Sequence, residues 1–202
     1  MYEDPNCQDC RLWRGAKNVC LPSRGPLEAS LAIFLDSPSV VEDKRGRSFC
    51  GDNAEMLDFQ LRRMGIDPRT VYVDYILKCY AKKYPGKKHE KRECFDICSQ
   101  YRFATLQDMP NLRTVCGLGT LACEALIGSK AIGDYAGSKW EPCEPAMRKL
   151  LNGDGVWIGY SPGYAIHSPA EGGAVFRVLW KAAEEAGLNP VVTKTKMFEY
   201  NN

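Results

Sequence analysis

Apolar residues in this chain gather into short continuous runs, separated by polar stretches rich in glycine and proline. The first run, Leu31 to Leu35, has no polar position, which marks a strand buried on both faces and not one face of a sheet. It stops at Asp36, and a polar loop with Pro38, Gly46 and Gly51 follows. Val71 to Leu77, β-branched and aromatic, predicts a second strand; Leu112 to Cys116 and Val156 to Tyr160 predict a third and a fourth. Between the strands the period changes to three and four. Ala54, Leu57, Leu61 and Met64 predict a helix capped at Asp52 or Asn53. Cys94, Ile97, Cys98, Tyr101 and Ala104 predict another, a third runs from Thr120 through Leu126, and Val175, Val178, Leu179, Ala182, Ala183 and Ala186 form the inner face of the last. Ser168-Pro169-Ala170-Glu171 reads as a capping box with proline at the first helical position. Residues 128–155 read as a polar excursion holding one short helix, Ala146 to Leu151.

Strands alternating with helices predict one α/β domain over residues 1–202: a three-layer α/β/α sandwich on a central, mostly parallel four-stranded sheet. Residues 1–30 form a loop-rich N-terminus and residues 189–202 a peripheral tail. In such a sheet the loops after Asp36, Leu77, Cys116 and Tyr160 leave from one edge, and that edge is where ligands bind. The turn Gly117-Leu118-Gly119-Thr120 leads from strand to helix and is expected to expose backbone N–H groups there.

Composition narrows the class. At 202 residues, with 45% hydrophobic and 26% charged positions, the chain has the make-up of a soluble globular protein. No apolar stretch has the length of a membrane span and no apolar signal region opens the chain, so a cytoplasmic protein in a reducing compartment is expected. Ten cysteines are then unusual, because disulfides are rare in reducing compartments, and metal ligation is the leading explanation for some of them, with burial as small hydrophobes for the rest. Cys7 and Cys10 form a Cys-x-x-Cys pair, a spacing that serves a metal centre or a redox couple. This pair precedes every strand, whereas redox pairs follow one, which favours metal. The net charge of +2 is uninformative, but Lys78, Lys82, Lys83, Lys87, Lys88, Lys91 and Arg92 crowd one segment with Tyr80, Tyr84 and His89 among them. That segment is a solvated basic loop or a surface that tracks a nucleic-acid backbone.

Together these motifs resemble the uracil-DNA glycosylase superfamily, in particular its iron–sulfur branch, family 4. The resemblance rests on Leu35-Asp36-Ser37-Pro38-Ser39, the acidic Glu42-Asp43, and Gly46-Arg47-Ser48-Phe49-Cys50-Gly51 in that order, together with the cysteine spacing, and runs from Cys7 to Gly187. It implies a 4Fe-4S cluster on Cys7, Cys10, Cys79 and Cys94, with Cys98 one helical turn on as the alternative to Cys94. The other cysteines (20, 50, 116, 123 and 143) are expected to be buried thiols.

The resemblance also implies DNA as partner and cleavage of the N-glycosidic bond of a flipped base; a monomer with no membrane association is expected. Asp36 takes the place of the acid that stabilises the sugar cation or positions water. Phe49 takes that of the ring that stacks on the base, within a base-binding set that includes Ser37, Pro38 and Tyr75. The sequence departs from the family at two places. Tyr75 stands where an asparagine amide reads uracil. Ser161-Pro162-Gly163-Tyr164-Ala165-Ile166-His167 stands where the family has His-Pro-Ser-Tyr-Leu-Leu-Arg, so Ser161 replaces the histidine that bonds the leaving base and His167 replaces the arginine. Lys82, Lys83, Lys87, Lys88, His89, Gly163 and Tyr164 are the expected DNA contacts, and His89 falls in the loop where some relatives carry a histidine that traps the sugar. The departures leave two expectations open: a glycosylase for a uracil-related or modified pyrimidine base, or an iron–sulfur nucleic-acid binder of the same fold that has lost catalysis.

Overall fold

The computed structural model describes residues 3–80 and 88–193, and at Lys88, His89, Lys91 and positions 169–171 the backbone alone. Strand β1 (Leu31–Leu35) is buried at every position, as its unbroken apolar run requires. Helix α1 (Val40–Arg45) and helix α2 (Asp52–Arg63) follow, then β2 (Tyr72–Tyr75), α3 (Lys88–Gln107), β3 (Thr114–Leu118) and α4 (Thr120–Ile127). Helix α5 (Ile132–Tyr135), β4 (Ser138–Trp140), α6 (Pro145–Leu150), β5 (Val156–Gly159), α7 (Tyr164–His167) and α8 (Pro169–Glu185) complete the order.

The sheet order is β2-β1-β3-β5-β4. Four strands are parallel and β4 pairs antiparallel with β5. The four-stranded expectation is thus corrected to five strands, with the fifth inside the stretch read as a polar excursion. Strand β4 is three residues long and mostly exposed, so it carries no apolar run. It is fastened instead by Lys139, whose Nζ pairs with Glu185 at 2.7 Å and with Asp154.

Two apolar clusters flank the sheet. Ala32 and Phe34 face one, with Leu106, Leu121 and Leu126. Leu31, Ile33 and Leu35 face the other, with Leu57, Leu61, Val178 and Leu179 from α2 and α8. This is the expected three-layer sandwich. The free side of β2 is covered by the N-terminal segment, where Arg24 and Val73 exchange backbone hydrogen bonds of 2.9 and 2.8 Å.

Two capping expectations are also corrected. Helix α2 is capped by Gly51, not by Asp52 or Asn53. Ser168 makes no side-chain cap bond at α8. A full capping box forms at α1, where Ser39 and Glu42 bond each other's backbone N–H groups.

Candidate active site

Strand β1 lies between β2 and β3, so the chain winds outward in both directions from it, and the crevice at the ends of β1 and β3 is the topological switch point. Leu35 pairs with Leu118 on one side and Tyr75 on the other. The residue after Leu35 is Asp36, which therefore stands at that crevice.

On the β3 side, Gly119 turns the chain into α4 with φ of 123°. Ala122 donates its N–H to Asp36 Oδ1 at 2.9 Å. Asp36 thus caps a helix that has no side-chain cap of its own, across 86 residues of sequence. A Cβ at Gly119 would lie 2.3 Å from Asp36 Oδ1, so glycine is required there by contact as well as by conformation. The N–H groups expected to be exposed at the Gly-x-Gly turn are turned to this carboxylate. Burial pushes the Asp36 pKa up to about 6, against the opposing pull of the Ala122, Leu121 and Thr120 N–H groups.

The β2 side is finished differently. Tyr75 is 2% exposed, and its hydroxyl donates to Glu42 Oε1 at 2.6 Å while accepting the Phe49 N–H at 3.0 Å. Burial first, and then the Glu42 carboxylate, hold the phenol well above its usual range. The Phe49 and Tyr75 rings stack with centroids 4.5 Å apart and planes 7° from parallel. No third ring fits between planes at that spacing. Phe49 has a φ of 53°, and the Arg24 guanidinium lies 5.1 Å from its centroid. Glu42 also accepts the Ser39 N–H at 2.6 Å, and Asp43 accepts the Lys17 and Asn18 N–H groups, each at 2.9 Å. The acidic pair therefore ties the loop down from within. Sequence reasoning missed this role of Glu42, although Ser39-Val40-Val41-Glu42 carries the capping-box spacing that signals it.

Pro38 is buried and Ser37 half-buried beside Asp36. Ser161, half-buried, opens the turn after β5, and its carbonyl accepts the Tyr164 N–H at 3.0 Å. Tyr164 and His167 are exposed on α7, with Tyr164 stacked on Tyr160 at 5.1 Å. Gly163 packs against Asn53 at the start of α2. These residues share the edge that carries Asp36, but among the described residues no hydrogen bond joins Ser161 or His167 to it. Lys82, Lys83 and Lys87 lie outside the described residues, as do the side chains of Lys88 and His89.

Beside the N-terminal segment, the cysteines converge. Cys7, Cys10, Cys20, Cys79, Cys94 and Cys98 are all buried and free of disulfides. Cys94 bonds Cys10 and holds its thiol down at about 7. Cys79 accepts the Cys20 N–H at 3.3 Å, and the Tyr101 hydroxyl reaches Cys7 Sγ at 3.6 Å. Cys98 faces the same group, its thiol pushed up to about 12 by burial. Cys116 and Cys123 are buried as expected, while Cys50 and Cys143 are half-exposed. Among the described residues no three His, Cys, Asp or Glu side chains are drawn together as for a single metal ion. An iron–sulfur cluster makes a different demand, one thiolate per iron around a bulky core, and an all-sulfur, disulfide-free set with N–H donors at sulfur fits it.

A family model for the uracil DNA glycosylase superfamily matches residues 22–184. The chain belongs to that superfamily. Its curated relatives include the type-4 uracil-DNA glycosylase of Thermotoga maritima, 26% identical over 126 residues, which are 62% of this chain and 63% of that protein. The type-4 uracil-DNA glycosylase of Sulfurisphaera tokodaii is 26% identical over 97 residues, 48% of this chain and 42% of the relative. That of Saccharolobus solfataricus is 26% identical over 96 residues, 47% and 43% of the two chains. The matches thus span from under half to just under two thirds of the relatives' lengths. No helix among the described residues is long and apolar enough to cross a membrane.

Proposed function

We propose that this chain is a DNA glycosylase of altered base selectivity, cleaving the N-glycosidic bond of a flipped uracil-related or modified pyrimidine base. The observation that carries this reading is the Asp36 carboxylate, held at the switch point with a pKa of about 6. Breaking the glycosidic bond builds positive charge on the sugar and negative charge on the departing base. Ionised Asp36 stabilises that sugar cation or orients the attacking water, and its bond to Ala122 N–H fixes its direction before substrate arrives. Ser161 offers a hydroxyl on the leaving-base side, a weaker donor than an imidazolium. Cys7, Cys10, Cys79 and Cys94 would hold a 4Fe-4S cluster, which would tie the loop-rich N-terminus to α3.

The test is release of free base from oligonucleotides carrying uracil, deaminated purines or modified pyrimidines, in single and double strands. The expected outcome is release of at least one base, reduced about 100- to 1000-fold in Asp36→Asn. Release from none of them sinks the catalytic reading. The Phe49–Tyr75 stack favours a second reading, a DNA-binding protein of this fold without cleavage, because the flat surface a base would use is already covered. That reading expects salt-dependent DNA binding with no base released, and absence of any binding removes it.

A further inference from the structure

Arg102 is the buried charge that the fold leaves without an answer. It projects from α3 and is 3% exposed. Its Nε has no hydrogen-bond partner, and Nη1 reaches the Ile76 carbonyl at 3.4 Å. The rings of Phe34 and Phe103, 5.8 and 5.7 Å away, replace little of the water it has lost. A cation in that setting is strongly disfavoured unless an anion faces it.

The neighbouring carboxylates are committed elsewhere. Asp74 is paired with the equally buried Lys78 at 2.6 Å and takes the Tyr75 N–H and the Tyr72 hydroxyl besides. Glu144 is paired with Arg92 at 3.0 Å. What remains near Arg102 is sulfur. Cys98 and Cys94 lie one and two turns before it on α3, all three buried on one helix face. The Cys20 N–H is turned to Cys79 Sγ at 3.3 Å, a contact that suits a thiolate better than a thiol.

We propose that Arg102 is the counter-charge of the cysteine cage: its buried guanidinium is matched by the net negative charge the cage carries when its cysteines hold a cluster as thiolates. The inference rests on the cluster reading above and goes beyond it, because it gives a residue outside the ligand set control over how firmly the cluster is held and how readily it is reduced. A positive charge beside the cluster favours its more reduced, more negative state.

The test uses anaerobically purified protein with Arg102→Met, which keeps the packing without the charge, and Arg102→Lys, which keeps the charge. The readouts are iron and sulfide content, visible absorption, reduction potential, and the rate of iron loss to a chelator. Arg102→Met is expected to lose iron about 10- to 100-fold faster and to have a more negative potential, while Arg102→Lys stays near the parent in both. Once iron is stripped the order of melting temperatures reverses, with Arg102→Met above the parent, since the unmatched charge is then a burden. A parent protein without iron overturns the cluster reading and this inference with it. An iron-loaded parent that Arg102→Met matches in potential and retention overturns the counter-charge alone. Equal losses in both variants assign the effect to shape, and overturn it as well.

Discussion

The two flanks of the crevice over β1 are made from similar parts and completed in opposite ways. On the β3 flank, a loop glycine draws back and leaves a carboxylate facing the start of α4. On the β2 flank, an aromatic ring moves in, stacks on Phe49 and is bolted there by Glu42. One flank keeps a group whose protonation changes near neutral pH. The other uses its carboxylate, Glu42, as scaffolding. Membership of one superfamily therefore leaves room for unlike flanks: one turns a carboxylate to a helix start, and the other is closed by a ring stack.

The most damaging way to test the contrast is to close the open flank. Gly119→Ala forces a Cβ to within 2.3 Å of Asp36 Oδ1 at a φ of 123°. Either the carboxylate or the α4 entry must give way. A loss of about 3 kcal/mol in urea unfolding is expected, with loss of base release even where the protein remains folded. A Gly119→Ala protein of parental stability would mean that the close approach is unimportant.

The closed flank can be loosened in two steps. Tyr75→Phe keeps the ring stack but strands Glu42 Oε1 and the Phe49 N–H, both deep in the loop anchor, and is expected to cost about 2 kcal/mol by chemical denaturation. Tyr75→Asn removes the ring and bares the face of Phe49. A base stacked there is worth about 2 kcal/mol, so Tyr75→Asn is expected to bind an oligonucleotide with uncleavable 2′-fluorodeoxyuridine about 30-fold tighter than the parent does. A parent that binds it as tightly as Tyr75→Asn would show that the stack opens freely and that the flank is not closed.

What could be read from the sequence divides along the same line. Strand β1, α2, β5 and α8 were legible because each carries its own apolar period within a few residues. Asp36 was legible as an acid at a strand end. Its capping of α4, 86 residues away, was not, since nothing local encodes a bond between separate turns. Helix α1 escaped notice because it is six residues long and exposes Val40 and Val41, so no amphipathic stripe marks it. Strand β4 escaped because its hold on the sheet comes from Lys139 reaching Glu185, 46 residues on. The identity of Tyr75 was plain, but its consequence needed Glu42 and Phe49 in three dimensions. Local periodicity gives the layers, and the finish of the site lies in long-range polar contacts that leave no period.

The mildest prediction concerns the proton on Asp36. Burial raises its pKa to about 6, so the folded protein holds that proton more tightly than the unfolded chain, whose aspartate titrates near 4. The stabilising effect of the bound proton is complete below pH 4 and lost as the pH rises through 6. If ionised Asp36 does the chemistry, activity runs the other way: base release falls about tenfold per unit below pH 6 and levels off above pH 7. Between pH 4 and 6 this carboxylate therefore makes the protein less stable as it makes it more active. In Asp36→Asn both slopes should flatten together, measured as urea midpoints and as single-turnover rates over that range. Flattening of the stability slope alone would leave Asp36 as the cap of α4 and nothing more.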